Sequence, residues 1–319
     1  MIINSSVSAV LRKFEKHYGK DNIFNNKYLI IKRECDNSVL GLFAYYITML
    51  AWIEYAIRKN MVPVIDMKNY ANTFHRQGDV GRINTWELFF QQPCKTTLED
   101  ALKSGNARYV WNDIPEYQPN DSLDFLYNDE IIEHYHLVAK EYIRFQPHVL
   151  EKLEKKEEEI LGAFKEERIL GVLARGTDYT TLRPYFNPIQ PNLEQLVSKI
   201  NEYMKRYNCT KIYVATEDEG NLEYLREIYG EKILYTDQQR VRKVNSYLND
   251  NKEFTDRDSF ERGIEYLSSI YLLSKCNGLI AGRTAGTVGA RLLADNFEFY
   301  HIFSFGRYGM EDEMIKSRI

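Results

Sequence analysis

Ile169-Leu-Gly-Val-Leu-Ala-Arg175-Gly-Thr-Asp178-Tyr179 is the stretch on which the fold turns. A short apolar run that breaks into a charged, Gly-containing turn reads as a buried β-strand ending at a surface. The pattern then repeats. Leu193, Leu196, Val197, Ile200 and Met204 mark a helical face, Ile212 to Ala215 a strand, and Leu222, Leu225 and Ile228 a second helix. Ile233 to Tyr235 is a short strand, Phe260, Ile264, Leu267 and Tyr271 mark a third helix, and Leu279 to Ala281 is a strand before a Gly-rich turn. Strands alternating with helices predict an α/β fold with a parallel sheet covered on both faces.

Working outward, Val149 to Arg168 is rich in Lys and Glu, with Val149, Leu153, Ile160 and Phe164 near helical spacing. It is predicted to be an exposed helix between two domains, residues 1–150 and 169–319, with 151–168 as the linker. The N-terminal half carries a strand at Tyr28 to Ile31, an apolar run from Val39 to Ile53 and a strand at Val62 to Ile65. The middle run is short for a bilayer span and contains Tyr45 and Tyr46, so it reads as the buried helix of a βαβ unit. An aromatic, less regular stretch follows from Asn69 to Tyr127, then a helix from about Asn128 to Phe145.

Composition bounds the partners. The 319 residues include 42 Lys and Arg against 46 Asp and Glu, a net charge of −4, which lacks the basic excess of a general nucleic-acid binder. With 44% hydrophobic residues, 8 Pro and 17 Gly, the chain is neither disordered nor collagen-like. Cys35, Cys94, Cys209 and Cys276 are widely spaced with no CxxC pair, so no disulfide framework or zinc knuckle is predicted, and a reducing cytoplasm fits. The first 25 residues read as an amphipathic helix without a signal-peptide core.

Ligands of parallel sheets bind beyond the carboxyl ends of the strands, where three polar clusters fall. Gly282-Arg283-Thr284-Ala285-Gly286-Thr287-Val-Gly289 opens a helix and could hold an anion on its N–H groups; the alternative is a helix start packed by small residues. Its GxxxGxxG spacing is not a dinucleotide fingerprint, which argues against an NAD-dependent enzyme. Arg175 could grip a phosphate or carboxylate bidentately, or form an ion pair with Asp178. Asp178 could be a general base, or it could orient Arg175 and the turn. Glu217 and Asp218, after Thr216, could bind a ribose or base edge, or cap a helix. Asp256-Arg-Asp258 resembles a metal-binding DxD but precedes a helix, where carboxylates cap, and no metal is expected. His134 and His136 fall on different helix faces, so no shared metal is expected there either.

On these residues the C-terminal half resembles the donor domain of fucosyltransferase-like glycosyltransferases, the group of the nodulation and core α1,6-fucosyltransferases and the protein O-fucosyltransferases. Leu173-Ala-Arg175-Gly-Thr-Asp178 resembles their first motif, with Leu173 where the family places His; Tyr213-Val-Ala-Thr216-Glu-Asp218 resembles the second, and Ser274 to Thr287 the third. Asp36-Asn37-Ser38-Val-Leu-Gly41 and Pro63-Val-Ile-Asp66 look like the first Gly-rich turn and following strand. The chain also resembles bacterial polysaccharide-assembly proteins with an Asn-x-Trp-Glu-x-x-Phe-x-Gln-Pro segment, here Asn84 to Pro93, and an Arg-Gly-Thr-Asp-Tyr segment before Pro-Ile-Gln-Pro.

The resemblance implies a GT-B-like architecture, two Rossmann-type domains facing a central cleft, and inverting, metal-independent transfer of fucose from GDP-fucose to a glycan. No cofactor is implied beyond this co-substrate. Arg175 and Asp178 would be catalytic. Arg175, Thr216, Glu217, Asp218, Arg283, Thr284, Ala285, Gly286 and Thr287 would bind the donor, and Asn37, Ser38, Asp66, Trp86 and Glu87 would lie on the acceptor side. A lipid-linked acceptor would bring a cytoplasmic protein to the inner face of the membrane. A non-catalytic nucleotide-sugar binder, or a glycosyltransferase using another nucleotide-sugar donor, would share the anion site.

Overall fold

The computed structural model describes residues 27–33, 40–111, 123–242 and 257–310. The N-terminal amphipathic segment, Cys35, Asn37, Ser38 and Asp256 lie outside them. The chain divides into two units, Met1–Leu40 with Ala44–Gln146, and Gly41–Phe43 with Pro147–Ile319.

In the first unit, β1 (Tyr28–Lys32), α1 (Leu42–Arg58) and β2 (Val62–Ile65) follow the predicted βαβ order. They are joined by α2 (Leu98–Lys103), β3 (Ala107–Trp111) and α3 (Asp129–Tyr142). The three strands are parallel in the order β2-β1-β3. Tyr45, Tyr46, Ile47, Met49, Leu50 and Ile53 of α1 are at most 2% exposed, so the apolar run is a core helix. No helix of the described residues is long and apolar enough to cross a membrane. β3 falls within the stretch read as irregular; its Ala-Arg-Tyr-Val-Trp sequence has too few apolar residues to stand out as a buried strand.

Two polar features hold this unit together. The Glu54 carboxylate, 4% exposed on α1, lies 2.5 Å from His134 Nε2, accepts from the Tyr135 hydroxyl at 2.6 Å and accepts from Arg58 Nε at 3.0 Å. These contacts tie α1 to α3. At the outer edge of β2, the Gln92 side-chain amide exchanges both bonds with Ile65, accepting from its N–H at 2.8 Å and donating to its carbonyl at 2.9 Å. Asn84 accepts from Met67 N–H at 3.1 Å and donates to the Ile65 carbonyl at 2.9 Å.

The second unit begins with α4 (Pro147–Leu161) and a short 3₁₀ turn, Gly162–Phe164. Val149, Leu153 and Leu161 are buried, and Lys152 pairs with Glu261 at 3.4 Å. The whole segment expected as a linker, 151–168, falls in this unit, because its apolar stripe has a core to cover. β4 (Ile169–Leu173), α5 (Thr177–Thr181), α6 (Leu193–Arg206), β5 (Lys211–Ala215), α7 (Glu219–Tyr229), β6 (Ile233–Leu234), α8 (Ser259–Ser274), β7 (Gly278–Ala281), α9 (Ala285–Leu293) and β8 (Phe299–Ile302) follow.

The five strands are parallel in the order β6-β5-β4-β7-β8. Leu170, Val172, Ile200, Ile212, Val214 and Ile280 are fully buried in one core, and Leu267, Ile270 and Leu273 of α8 are equally buried. Asn192 and Gln195 form a capping box at the start of α6. β8 was not anticipated. Only four residues long, it carries half-exposed Tyr300 and His301, and it is held through Phe299, whose ring stacks on Tyr207 at 3.8 Å.

Candidate functional site

Because all five strands are parallel, the turns after β4, β5, β7 and β8 emerge at one edge of the sheet. The β4 turn is built around a carboxylate. Glu217 Oε1, after β5, lies 2.7 Å from Arg175 Nη1 and accepts from Gly176 N–H at 3.0 Å and Thr177 Oγ1 at 3.1 Å. Asp218 adds a bond from Thr177 N–H at 3.1 Å and caps α7 by accepting from Asn221 N–H. Thr177 takes φ 52°, an uncommon conformation for a β-branched residue that these bonds sustain. A Cβ on Gly176 would fall 2.6 Å from Asp218 Cβ, so the turns approach this closely only through glycine. The Tyr179 ring lies 4.8 Å from the Arg175 guanidinium, which is left 22% exposed.

Arg175 thus pairs with Glu217. Asp178 stands in the first turn of α5, and its side chain is not among those described. Glu217 and Asp218 use their oxygens on the neighbouring turn, and Asp218 is also the helix cap that was the alternative reading. Thr216 is 3% exposed, and its carbonyl accepts from Gln238 and from Arg240 Nε, both at 3.2 Å. Arg240 escaped notice in the sequence. Burial, its largest influence, pushes its pKa down, and carbonyls at Thr216, Thr236 and Gln238 hold it.

After β7, Thr284 caps α9 by accepting from Thr287 N–H at 3.1 Å, and the Thr287 hydroxyl donates to the Gly282 carbonyl at 2.5 Å. Both hydroxyls are spent inside the turn, leaving the first-turn amides of Ala285 and Gly286 as the donors of the helix start. Arg283, 7% exposed, donates to the Gly306 carbonyl at 3.2 Å. Gly286 lets α8 approach: a Cβ there would lie 2.8 Å from the Tyr266 hydroxyl. Burial pushes that phenol's pKa up. Nothing in the sequence but its helical register marked it. The arrangement brings a fixed guanidinium and the positive end of a helix to one sheet edge, which suits an anionic group.

No protein-family model matches the chain, and no curated protein matches it in sequence. Among solved structures, NodZ α-1,6-fucosyltransferase soaked with GDP-fucose superposes with a TM-score of 0.52 at 15% identity, over 84% of this chain and 93% of that one. NodZ from Bradyrhizobium gives 0.52 at 15% identity, over 88% of this chain and 95% of that one. NodZ co-crystallized with GDP gives 0.51 at 16% identity, over 84% and 93%.

The fold is GT-B-like.

These superpositions extend over 84–88% of the GT-B-like chain. The described candidates in its first unit, Asp66, Trp86 and Glu87, are engaged in structure. Asp66, 1% exposed, accepts from Lys68 N–H, Asn69 N–H and Asn69 Nδ2, and lies 3.4 Å from Lys32 Nζ. Trp86 is 1% exposed, packs 4.5 Å from Phe90 and donates to the Gln91 carbonyl. Glu87 is exposed, with Oε1 accepting from Asn84 and Gln92. Asn84-x-Trp86-Glu87 through Gln92 is therefore a structural clamp on β2 in this GT-B-like chain. Asp258 caps α8, accepting from Phe260 and Glu261 N–H.

Proposed function

We propose that this protein is an inverting glycosyltransferase that moves fucose from GDP-fucose to a glycan acceptor. The observation that carries the reading is Arg175, held by Glu217 at 2.7 Å on the strand next to the one that leads into α9. The solved neighbours that hold GDP-fucose or GDP support the choice of donor. In the reaction the bond from the sugar C1 to the β-phosphate oxygen breaks, and its electron pair leaves on the diphosphate. The acceptor oxygen bonds to C1 from the opposite face, and its proton passes to a base.

Arg175 and the amides of Ala285 and Gly286 would stabilise the charge gathering on the leaving group. Thr284 and Thr287 would hold that helix start in shape. Asp178, in the turn beside Arg175, is the proposed base; Asp66 is less suited because both its oxygens already accept hydrogen bonds. The acceptor would be a glycan of a bacterial surface polysaccharide, carried on a lipid at the inner face of the membrane. The buried thiols of Cys209 and Cys276 agree with a cytoplasmic setting.

Thermal melts against a panel of nucleoside diphosphates test the reading. GDP at 100 times its dissociation constant should add about 2.7 kcal/mol of stability. Release of GDP from GDP-fucose separates an enzyme from a binder, and no stabilisation by any nucleoside diphosphate would remove the donor site. A second expectation concerns metal. Turnover should persist in excess EDTA, because a guanidinium and a helix N-terminus do the work of a divalent ion. Loss in EDTA with recovery in manganese would return Asp256 and Asp258 to consideration as ligands.

A further inference from the structure

The turn that carries Arg175 runs on into residues 182–190, which no step above uses. Tyr185 and Phe186 are 74% and 52% exposed, Tyr185 being the most exposed large hydrophobic residue among those described. Their ring centroids lie 6.3 Å apart. Both rings are seated rather than loose. Phe186 N–H donates to the Tyr308 carbonyl at 2.9 Å, Tyr308 N–H donates to the Asn187 carbonyl at 2.9 Å, and Ile189 N–H donates to Gly306 at 3.1 Å. Arg307 donates to the Phe186 carbonyl at 2.8 Å and lays its guanidinium 4.6 Å from that ring. The Tyr185 ring rests on Gly309, where a Cβ would fall 2.4 Å from its Cδ2. Arg183 at φ 47° and Phe186 at φ 66° hold a left-handed backbone that side chains rarely adopt.

Their position follows from the topology. β4 and β8 are parallel, so the 182–190 and 303–310 segments leave the sheet at the edge that carries Arg175. The connection is bonded throughout: Gln190, 6% exposed, donates to the Arg283 carbonyl at 3.2 Å, and Arg283 donates to Gly306 at 3.2 Å. The ring pair and the turn before α9 are one structure.

The geometry points to a glycan subsite in which Tyr185 and Phe186 form a stacking platform for a pyranose ring of the acceptor. The C–H face of a sugar ring is apolar and packs on an aromatic surface, while the phenol and the Arg307 guanidinium offer polar partners to its hydroxyls. Two rings suit one or two sugar units and fall far short of the roughly 800 Å² that a stable protein partner buries on each side. Holding the rings in place beforehand removes an ordering cost from binding. The choice of acceptor as occupant rests on the glycosyl-transfer reading.

Saturation-transfer NMR on the full chain with methyl β-glucoside, methyl β-galactoside and methyl N-acetyl-β-glucosaminide tests the platform. At least one glycoside should receive saturation, strongest on one ring face. The signal should fall about fivefold in Tyr185→Ser and in Phe186→Gly, the scale of one aromatic contact. Glycine relieves the positive φ, so Phe186→Gly should melt no lower than the wild type. Tyr224→Ser, which alters an exposed tyrosine on α7, should leave the signal unchanged. Transfer to none of the three glycosides, or transfer that survives both substitutions, overturns the proposal. GDP melts run beside it keep the two readings apart: GDP stabilisation without a glycoside signal ends the platform alone, and absent stabilisation ends the donor reading while the glycoside result still decides the platform.

Discussion

Replacing Arg175 by alanine should lower turnover with GDP-fucose by about 100-fold or more, the scale seen when one preorganised donor is lost from a charge-stabilising site. Arg175→Lys should be nearly as damaging. The guanidinium is fixed from two sides, by Glu217 at 2.7 Å and by the Tyr179 ring at 4.8 Å, and is left 22% exposed. An ammonium keeps the charge but cannot stack flat on Tyr179, hold Glu217 and bridge two phosphate oxygens together. Folding should be spared, because the side chain is 22% exposed and lies at the sheet edge. Steady-state kinetics with melts of all three proteins would decide it. Near-normal turnover in the lysine variant would reduce Arg175 to a general positive field, and normal turnover in the alanine variant would remove it from the site.

The second large effect should come from Glu54→Gln, through stability rather than chemistry. A carboxamide cannot satisfy His134, Tyr135 and Arg58 together, so the cost at neutral pH should be about 3 kcal/mol. That corresponds to a melting temperature lower by roughly 10 °C. The sign with pH follows from the carboxylate. Burial acts to raise its pKa, but hydrogen bonds from His134 and Tyr135, and the charges of His134 and Arg58, hold it below the ordinary 4.5. A depressed carboxylate stabilises the fold above its ordinary value and loses that contribution as pH falls through the folded one. The gap between wild type and variant should therefore be full at neutral pH and close in acid below 4.5. Denaturant titrations across that range would check it, and a gap that stays constant would show that the Glu54 charge contributes nothing.

What was legible in the sequence tracks how strongly each segment is buried. β2 was read at Val62 to Ile65, as observed, and β4 and β5 within a residue at each end, because strands buried on both faces are written as unbroken apolar runs. β3 and β8 carry half-exposed positions that admit Tyr, His and Arg, and their pattern dissolved into the surrounding aromatic sequence, whereas β2, also at a sheet edge, is buried throughout. At the sheet edge the residue types were visible but their pairing was not. Arg175 meets Glu217, 42 positions on, because β4 and β5 are neighbours, and no local spacing encodes that. Asn84, Trp86 and Glu87 drew attention as a motif, yet only the side-chain bonds of Asn84 and Gln92 to Ile65 and Met67 show that the segment serves β2. No sequence pattern marks Tyr185 and Phe186; their exposure and the backbone at Phe186 single them out.

The clamp on β2 also governs what the first sheet can do to other molecules. An edge strand with unpaired N–H groups is a template on which a second chain can add a strand and begin to aggregate. Val62 and Asp66 donate inward to the Lys27 and Ile31 carbonyls, so the outward positions are Pro63, Ile65 and Met67. Proline has no N–H to offer, Ile65 gives its own to Gln92, and Met67 gives its own to Asn84. Two side-chain amides and one imino acid thus close this border to intermolecular strand pairing.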